Sequence, residues 1–201
     1  MKLLIATNNR GKQREYRALL AGLPVEPIFP QETGVKLEVE ENGLTYAQNA
    51  ALKAQAWAKA TGLPTLADDS GLEVEALNGA PGLFSARYAP IPNATDADRR
   101  RYLLSQLRGK PRPWKARFVC TVAVAAPDGV LHFAEGVCPG EIIPEERGAN
   151  GFGYDPIFYL PDLGLTMAEL PPEEKNRLSH RGRAVRAIRP ILQALAERHT
   201  S

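Results

Sequence analysis

Apolar and polar positions at the start of the chain predict a strand followed by a helix. Residues 2–6 (KLLIA) form a continuous apolar run, which is typical of a buried strand. Residues 13–20 place Tyr16, Leu19 and Leu20 on one face of a helix. The chain therefore opens with a strand and a helix that a short polar segment connects.

A long Ala-rich segment predicts the next helix. Residues 45–48 (TYAQ) have the form of a capping box, in which Thr and a Gln three positions later satisfy free backbone N–H groups. This helix is expected to stop near Thr61, because Gly62 and then Pro64 follow. A short strand is predicted directly afterwards, over residues 65–67.

The middle of the chain predicts a third helix and a hairpin. Thr95 is expected to cap a helix that ends near Gly109. Residues 116–126 and 129–143 are rich in β-forming side chains and flank a Pro-Asp-Gly turn at 127–129. Two such runs around a tight turn are typical of antiparallel strands.

Two further segments complete the pattern. Residues 78–93 are rich in Pro and Gly and predict a loop. Ser179 is expected to cap a last helix, in which Pro190 should produce a kink or mark a restart. Strands and helices mixed in this way, with an antiparallel pair among them, predict an α/β fold with a mixed sheet. The 201 residues fit a single domain or two closely packed lobes.

Composition narrows the functional class only a little. The chain is 44% hydrophobic and 24% charged, as expected of a globular protein, and a net charge of +2 is too mild to indicate nucleic-acid binding. Residues 99–101 (RRR) are interpreted as a solvated helix face. Cys120 and Cys138 show neither CxxC nor zinc spacing and are expected to be buried thiols. No signal peptide or membrane span is evident, so the cytoplasm is the expected location.

The first candidate site is the polar segment TNNRGK after the first strand. Its residues are Thr7, Asn8, Asn9, Arg10, Gly11 and Lys12. A loop that opens a helix presents free N–H groups and the positive end of the helix dipole, which together bind phosphate. The segment lacks the glycine and the Ser or Thr that a Walker A loop requires. Two interpretations remain open, an anion site and a surface turn.

Acidic pairs form the second candidate. Asp68 and Asp69 close the short strand, and in extended chain their side chains point to opposite sides. One carboxylate can face a cleft while the other accepts local N–H groups, and a simple Asx turn is the alternative. Glu40 and Glu41 lie in a second loop. Carboxylates from two loops suit Mg²⁺. Water molecules and substrate phosphates usually complete the coordination shell of this ion.

Two later segments complete the candidates. In GFGYDPIF, Phe152 stands between glycines and is interpreted either as a ring that stacks on a planar ligand or as a core side chain. In EEKNRLSHRGR, basic residues surround the helix start expected at Ser179. Cations at a helix start oppose its dipole, which favours a functional interpretation over a plain cap. Phosphate, a divalent metal and a flat polar ring together suggest a nucleotide.

These motifs, in this order, resemble the inosine triphosphate pyrophosphatases, the non-canonical purine nucleoside triphosphate pyrophosphatases. The resemblance runs from TNNRGK through EENGLTYAQNAALKA, LADDSGLEVEALNGAPGLFSARYA and GFGYDPIF to EEKNRLSHRGRA, so that it covers nearly the whole chain. It implies one catalytic domain over residues 1–201, with an elongated mixed sheet, flanking helices and two lobes around a central cleft. It also implies a homodimer that hydrolyses ITP, dITP and XTP to the monophosphate and pyrophosphate, with Mg²⁺ or substitute Mn²⁺.

The resemblance also assigns roles to residues. Thr7 to Lys12 would hold the triphosphate, Asp69 would be both metal ligand and general base with Asp68 in support, and Glu40 rather than Glu41 would bind metal. The residues implied to contact substrate elsewhere are Ser70, Phe152, Gly153, Tyr154, Asp155, Lys175, His180 and Arg181. Phe152 would stack on the base, and His180 and Arg181 would lie at the purine 6-position.

Two other functions compete with this one. A Maf-like pyrophosphatase for dTTP, UTP or modified nucleotides begins with a related strand and basic loop, but SHR and GFGYDPIF argue against it. A nucleotide sensor without turnover is disfavoured because Glu40, Asp69 and Lys12 are all present. Neither nucleic acid nor a membrane is an expected partner.

Overall fold

The computed structural model describes residues 1–198. Within them lie seven strands and five α-helices. The strands are β1 (Lys2–Ile5), β2 (Glu26–Ile28), β3 (Thr65–Val74), β4 (Trp114–Ala125), β5 (Leu131–Ile142), β6 (Phe158–Leu160) and β7 (Leu165–Thr166). The helices are α1 (Arg10–Leu19), α2 (Tyr46–Thr61), α3 (Asp96–Leu107), α4 (Pro172–Leu178) and α5 (His180–Arg198). No helix in this part of the chain is long and apolar enough to cross a membrane.

All seven strands belong to one mixed sheet, which confirms the predicted fold class. Their order is β2-β1-β3-β4-β5-β6-β7. β1 pairs in parallel with β2 and β3, whereas β6 pairs antiparallel with β5 and β7. The predicted hairpin is present as β4 and β5, where the N–H of Ala126 donates to the carbonyl of Val130 at 2.9 Å.

The chain divides into two compact units. Unit 1 comprises residues 1–69, 120–136 and the segment from Arg181 onward, and unit 2 comprises residues 70–119 and 137–180. The sequence predicted one domain with two lobes over residues 1–201, whose last three residues lie outside the described part.

Unit 1 has helices on both faces of its strands, because alternate side chains of each strand point to opposite sides. One face carries Leu3, Ile5 and Leu66, which pack with α1 and α5. The other face carries Leu4 and Ala67, which pack with α2. The Ala residues of α2 let its backbone approach this face closely.

Unit 2 has its own core, to which α3 contributes Leu103 and Leu107. The strands contribute side chains such as Phe118 and Phe158, whose ring centroids lie 4.2 Å apart. Cys138 is buried in this core, and Cys120 is buried in unit 1, so both are free buried thiols as predicted.

Several helix limits confirm the sequence-based assignment. Thr45 caps α2 by accepting the N–H of Gln48, and Gly62 ends that helix at φ 68°. The second half of the predicted box differs, because Gln48 Oε1 accepts the N–H of Leu44 rather than that of Thr45. Thr95 and Asp98 form a complete capping box at the start of α3.

Other predicted limits were wrong. α1 begins at Arg10 instead of Gln13, and β3 extends from Thr65 to Val74 rather than stopping at residue 67. Charged residues end a sequence-based strand assignment, but here Asp68 and Asp69 remain in the strand because side chains of other elements pair with them. α5 runs through Pro190 as one helix, so Pro190 does not mark a restart. The loop predicted at 78–93 contains a 3₁₀-helix, Gly82–Arg87.

Candidate functional site

The segment Thr7 to Lys12 connects β1 to α1, as predicted, and it is stabilised from within. Asn9 is the N-cap of α1, and its Oδ1 accepts the N–H of Lys12 at 3.0 Å. Thr7 Oγ1 accepts the N–H of Asn9 at 3.2 Å. Asn8 and Arg10 are exposed. Because α1 starts at Arg10, the segment places the positive end of a ten-residue helix beside its own polar side chains.

Lys12 is held in place rather than mobile. Its Nζ lies 2.8 Å from Oδ2 of Asp68, and the Lys12 side chain is only 17% exposed. Asp68 lies in β3, on the strand face that packs with α1 and α5. The acidic pair and the TNNRGK segment, which the sequence predicted separately, are therefore brought together.

Arg181, the second residue of α5, pairs with two carboxylates. Its Nη1 lies 2.5 Å from Oε2 of Glu15, and its Nη2 lies 3.2 Å from Oδ2 of Asp68. Arg181 is 1% exposed, which is exceptional for an arginine. A guanidinium at this depth needs such partners, because an unpaired buried charge is strongly destabilising.

The two cations set the charge state of Asp68. Burial by itself would raise the pKa of Asp68, but Lys12 and Arg181 outweigh it and hold that pKa well below its ordinary value. Asp68 is therefore ionised at any pH near neutral. The same burial raises the pKa of the neighbouring Cys120 thiol, which stays protonated.

Asp69 has a different environment, because its side chain leaves β3 on the opposite face. It is 9% exposed, and its Oδ2 accepts a hydrogen bond from Asn49 Nδ2 in α2 at 3.0 Å. Burial raises the pKa of Asp69, while Lys53 and the hydrogen bond from Asn49 oppose the rise. A carboxylate with a raised pKa is a stronger proton acceptor than an exposed one.

Glu40 and Glu41, which lie in the loop before α2, differ in their partners. Glu41 Oε2 lies 2.8 Å from Lys53 Nζ in α2. Glu40 is exposed and makes no ion pair within residues 1–198. The described residues contain no group of three or more metal-ligating side chains.

In unit 2, a buried ion pair supports Phe152. Lys175 Nζ and Asp155 Oδ2 lie 2.5 Å apart, and both residues are buried. The same Oδ2 accepts the N–H of Phe152 at 2.8 Å, while Lys175 Nζ lies 4.7 Å from the centroid of the Phe152 ring. Phe152 is half-buried. These contacts bring together three residues that the sequence selected from two separate motifs.

Two other predicted residues of unit 2 pack into its interior. The hydroxyl of Tyr154 donates to the carbonyl of Ser85 at 2.8 Å, and burial raises the pKa of Tyr154. The His180 ring stacks on Phe118, with centroids 4.8 Å apart and planes 17° from parallel. Ser70 is half-buried in β3.

The last helix begins at His180, directly after Ser179 as predicted, but a further short helix precedes it. Lys175 and Arg177 lie in the last turn of α4, a helix that the sequence analysis missed, and Ser179 is its C-cap. For Lys175 and Arg177 the predicted conflict with a helix start was therefore wrong, since cations are favourable near a helix C-terminus. For His180 and Arg181 it is confirmed, because they are the first two residues of α5.

Sequence reasoning also missed three residues that pair with predicted ones: Glu15, Asn49 and Lys53. Asn49 and Lys53 are four positions apart in the Ala-rich helix, and polar residues at this spacing lie on one helix face. That pattern was an available signal. The pairing of Glu15 with Arg181, 166 positions away, has no local signature.

Comparisons with known proteins agree on one family. A model of the Ham1 family matches residues 3–191. The chain is 51% identical over 195 residues to a dITP/XTP pyrophosphatase of Nostoc sp., covering 96% of this chain and 95% of the relative. It is 49% identical over 196 residues to one of Desulforamulus reducens, covering 97% of each. A solved HAM1 protein from Coxiella burnetii is similar with a TM-score of 0.87 and 44% identity, over 96% of this chain and 99% of that one.

Proposed function

The chain belongs to the Ham1 family, and on this basis we propose that it hydrolyses non-canonical purine nucleoside triphosphates. The substrates are ITP, dITP and XTP, and the products are the monophosphate and pyrophosphate. The protein would thereby remove deaminated purines from the nucleotide pool. The names of the Nostoc and Desulforamulus relatives support both the reaction and the substrate class.

The adjacent carboxylates of β3 carry the proposal. Asp68 holds Lys12 of the TNNRGK segment at 2.8 Å, while Asp69 leaves the strand on its other face with a raised pKa. In β3, Asp68 thus anchors the proposed phosphate-binding Lys12, and the next residue, Asp69, is the proposed base. If TNNRGK were a plain surface turn, it would need neither of these two buried carboxylates.

The proposed reaction is attack of water on the α-phosphorus. The new bond joins the water oxygen to that phosphorus, and the bond to the bridging oxygen breaks, so that pyrophosphate leaves. Asp69 would take the proton from the attacking water. The ordinary pKa of an aspartate, about 3.9, makes a poor base, so its elevation in this protein favours the role.

The oxygen donors of Glu40 and Asp69 support a proposed Mg²⁺ site. Glu40 and Asp69 would hold the ion, since Mg²⁺ commonly takes only one or two carboxylates and completes its shell with water and substrate phosphates. A bound Mg²⁺ would neutralise phosphate charge and acidify water, and Mn²⁺ is the proposed substitute. Glu40 is preferred to Glu41 because the Glu41 carboxylate already pairs with Lys53.

Residues 7–12 are the proposed triphosphate contacts. The N–H groups at the start of α1 favour an anion, and Lys12 contributes a charge that Asp68 orients. Ser70 is proposed to touch the substrate close to the reacting phosphate.

Recognition of the base is proposed to fall to Phe152, Gly153, Tyr154, Asp155, Lys175, His180 and Arg181. Phe152 would stack on the purine, and Lys175 would contact the base or a phosphate. A guanidinium only donates hydrogen bonds, so Arg181 favours a 6-keto acceptor over the 6-amino donor of adenine. An unmatched buried donor costs roughly 1–3 kcal/mol, or about 5- to 150-fold in discrimination.

Pyrophosphate release from ITP, XTP, dITP, ATP, GTP, dTTP and UTP, with Mg²⁺ and with chelator, tests this function. Metal-dependent release from ITP and XTP, with little from ATP, is the expected result. Preferred turnover of dTTP or UTP would instead identify a Maf-like enzyme. Nucleotide binding without turnover would identify a sensor. Asp69→Asn should remove activity while the protein stays folded, and more than a tenth of wild-type activity would refute the role of Asp69.

We also propose a homodimer of one catalytic domain that acts in the cytoplasm. Light scattering coupled to size exclusion should give twice the 21.9 kDa chain mass. A monomeric mass would contradict the dimer and leave the proposed reaction standing.

A further inference from the structure

Two side chains of α3 hold the backbone of Gly153, the residue after the proposed stacking ring. Asp96 Oδ2 accepts the N–H of Gly153 at 2.8 Å, and Arg100 Nη1 donates to its carbonyl oxygen at 2.8 Å. We propose that Asp96 and Arg100 are positioning residues, which fix the Phe152 ring for stacking on the base without touching the substrate. This inference rests on the proposed function and adds two residues to the determinants of substrate affinity.

The segment around Phe152 requires external support. Gly151 and Gly153 adopt φ values of 76° and 63°, in the left-handed region that glycine reaches without strain. Two glycines leave the intervening residue poorly restrained, because each has access to a wide range of backbone conformations. The ring position therefore depends on contacts made by the neighbouring peptide groups.

Those contacts lie on both sides of Phe152. On the N-terminal side, Asp155 accepts the Phe152 N–H at 2.8 Å. On the C-terminal side, both polar backbone groups of Gly153 bind to α3. The first contact belongs to the candidate site already described. Asp96 lies outside every predicted motif, and Arg100 belongs to the RRR run that was interpreted as a solvated helix face, an interpretation that its contact with Gly153 corrects.

The geometry of α3 places these two side chains together. Asp96 and Arg100 are four positions apart, so they lie on the same face of the helix. Asp96 is the first residue of α3, directly after the capping Thr95. The helix thus presents an acceptor to the N–H and a donor to the carbonyl of the same residue, Gly153.

The charges of the two side chains are neutralised locally. Arg100 Nη2 lies 2.9 Å from Oε2 of Glu146, and the Arg100 side chain is only 12% exposed. Asp96 pairs with Arg99 on the same helix. Each side chain therefore acts on Gly153 as an oriented hydrogen-bonding group, and charge-assisted bonds of this type are stronger than neutral ones.

The test compares Arg100→Ala with Arg101→Ala. Arg101 is the next residue of α3 and has a 74% exposed side chain, and within residues 1–198 its one ion pair is with Asp98 on the same helix, so it is a matched control. Arg100→Ala should raise KM for ITP on the order of tenfold, the effect of losing one charge-assisted hydrogen bond, and leave kcat within about twofold. Arg101→Ala should match the wild type. Arg100→Lys, which keeps a donor and a charge, should recover part of the loss.

Tripolyphosphate separates base recognition from phosphate binding, because it has no base. Its inhibition constant should be the same for Arg100→Ala and the wild type. An equal weakening of tripolyphosphate and ITP would overturn the proposal, since it would show a general loss of structure.

A double-mutant cycle then tests whether Arg100 acts through the Phe152 ring. In the Phe152→Ala background, Arg100→Ala should change KM by less than about twofold, because the ring that it positions is absent. Additive effects would overturn the proposal. Exchange of the Gly153 amide proton, measured without nucleotide, should accelerate in Asp96→Ala but not in Arg101→Ala, and unchanged exchange would also contradict it.

The wild-type enzyme distinguishes this inference from the function on which it rests. No pyrophosphate release from any purine triphosphate would refute both. Turnover of ITP by the wild type together with an unchanged KM for Arg100→Ala would refute the positioning role alone.

Discussion

The Nζ atom of Lys12 lies 2.8 Å from Oδ2 of Asp68, although the two residues are 56 positions apart. Arg181 Nη2 approaches the same oxygen at 3.2 Å and pairs through Nη1 with Glu15. One buried carboxylate thus lies between two cations, and its removal would leave both without that partner. The TNNRGK segment depends on β3 for the orientation of its lysine.

Asp68→Asn should therefore destabilise the fold strongly. Removing one partner of a buried ion pair costs about 3–5 kcal/mol, and here Lys12 and Arg181 would both lose the Asp68 carboxylate while Arg181 keeps Glu15. Urea unfolding measures the change. Asp162→Asn, at an exposed turn position, is the control and should stay within about 0.5 kcal/mol of the wild type. Equal stabilities for the two variants would show that Asp68 does not hold the cations together.

Acid should weaken the same contact. The folded-state pKa of Asp68 is lowered, so its contribution to stability is present above the unfolded-state pKa of about 3.9 and is lost as pH falls below it. The free energy of unfolding of the wild type should drop more steeply below about pH 4 than that of Asp68→Asn. Parallel curves would contradict the assignment.

Asn49→Asp tests the control of Asp69. The replacement keeps the oxygen that accepts the Gly43 N–H at 2.8 Å, but it loses the donor to Asp69 and adds a like charge. Both changes raise the pKa of Asp69 further. The acid limb of the kcat/KM profile should therefore move to higher pH by about one unit.

Gln55→Glu adds the same charge at an exposed position of α2 and serves as the control. Its acid limb should coincide with that of the wild type. If both variants move the limb equally, general charge rather than the Asn49 contact is responsible.

Glu40→Gln and Glu41→Gln form a matched pair for the proposed metal site. Glu40 makes no ion pair within the described residues, whereas Glu41 pairs with Lys53 at 2.8 Å. Loss of a carboxylate ligand should raise the Mg²⁺ concentration for half-maximal activity on the order of tenfold in Glu40→Gln. Glu41→Gln should change it by less than about twofold, and the reverse order would make Glu41 the ligand.

Gly151→Ala tests the close packing beside the Asp155–Lys175 ion pair. An alanine Cβ at this position would lie 2.1 Å from Oδ2 of Asp155, at a backbone φ of 76°. The clash should displace Asp155 from both Phe152 and Lys175, and lower the melting temperature while raising KM for ITP.

Gly22→Ala is the matched control for this substitution, because Gly22 has a similar φ of 78°. Among the described residues, apart from Gly22 and its two chain neighbours, no atom lies within 4 Å of the point that its Cβ would occupy. It carries only the backbone strain of about 1–2 kcal/mol. Stability is expected to fall further in Gly151→Ala than in Gly22→Ala, and KM should change only in Gly151→Ala. Equal effects on both quantities would exclude a steric role for the Asp155 contact.

Local chemistry was sufficient for much of the fold. Thr45 begins α2, Gly62 ends it, and Thr95 begins α3. These limits are predictable because caps and left-handed glycines act over a few neighbouring residues. The buried strand at residues 2–5 and the hairpin around residues 127–129 follow from equally local patterns. The motifs also sufficed for the family, since their order along the chain is itself a sequence property.

Long-range pairing required the tertiary structure. β3 continues through Asp68 and Asp69 because Lys12, Arg181 and Asn49 approach those carboxylates from other elements. No local rule predicts that a strand tolerates two adjacent charges, since the compensating partners are remote in sequence.

In the candidate site, likewise, the chemistry of the side chains was predictable from the sequence but their positions were not. The sequence by itself determined which side chains are able to bind phosphate, metal or a ring. Only the tertiary structure decided that Lys12 is held, that Arg181 is buried between Glu15 and Asp68, and that Asp96 and Arg100 bind Gly153. Burial and contacts between distant segments set those properties, and both arise only when the elements pack.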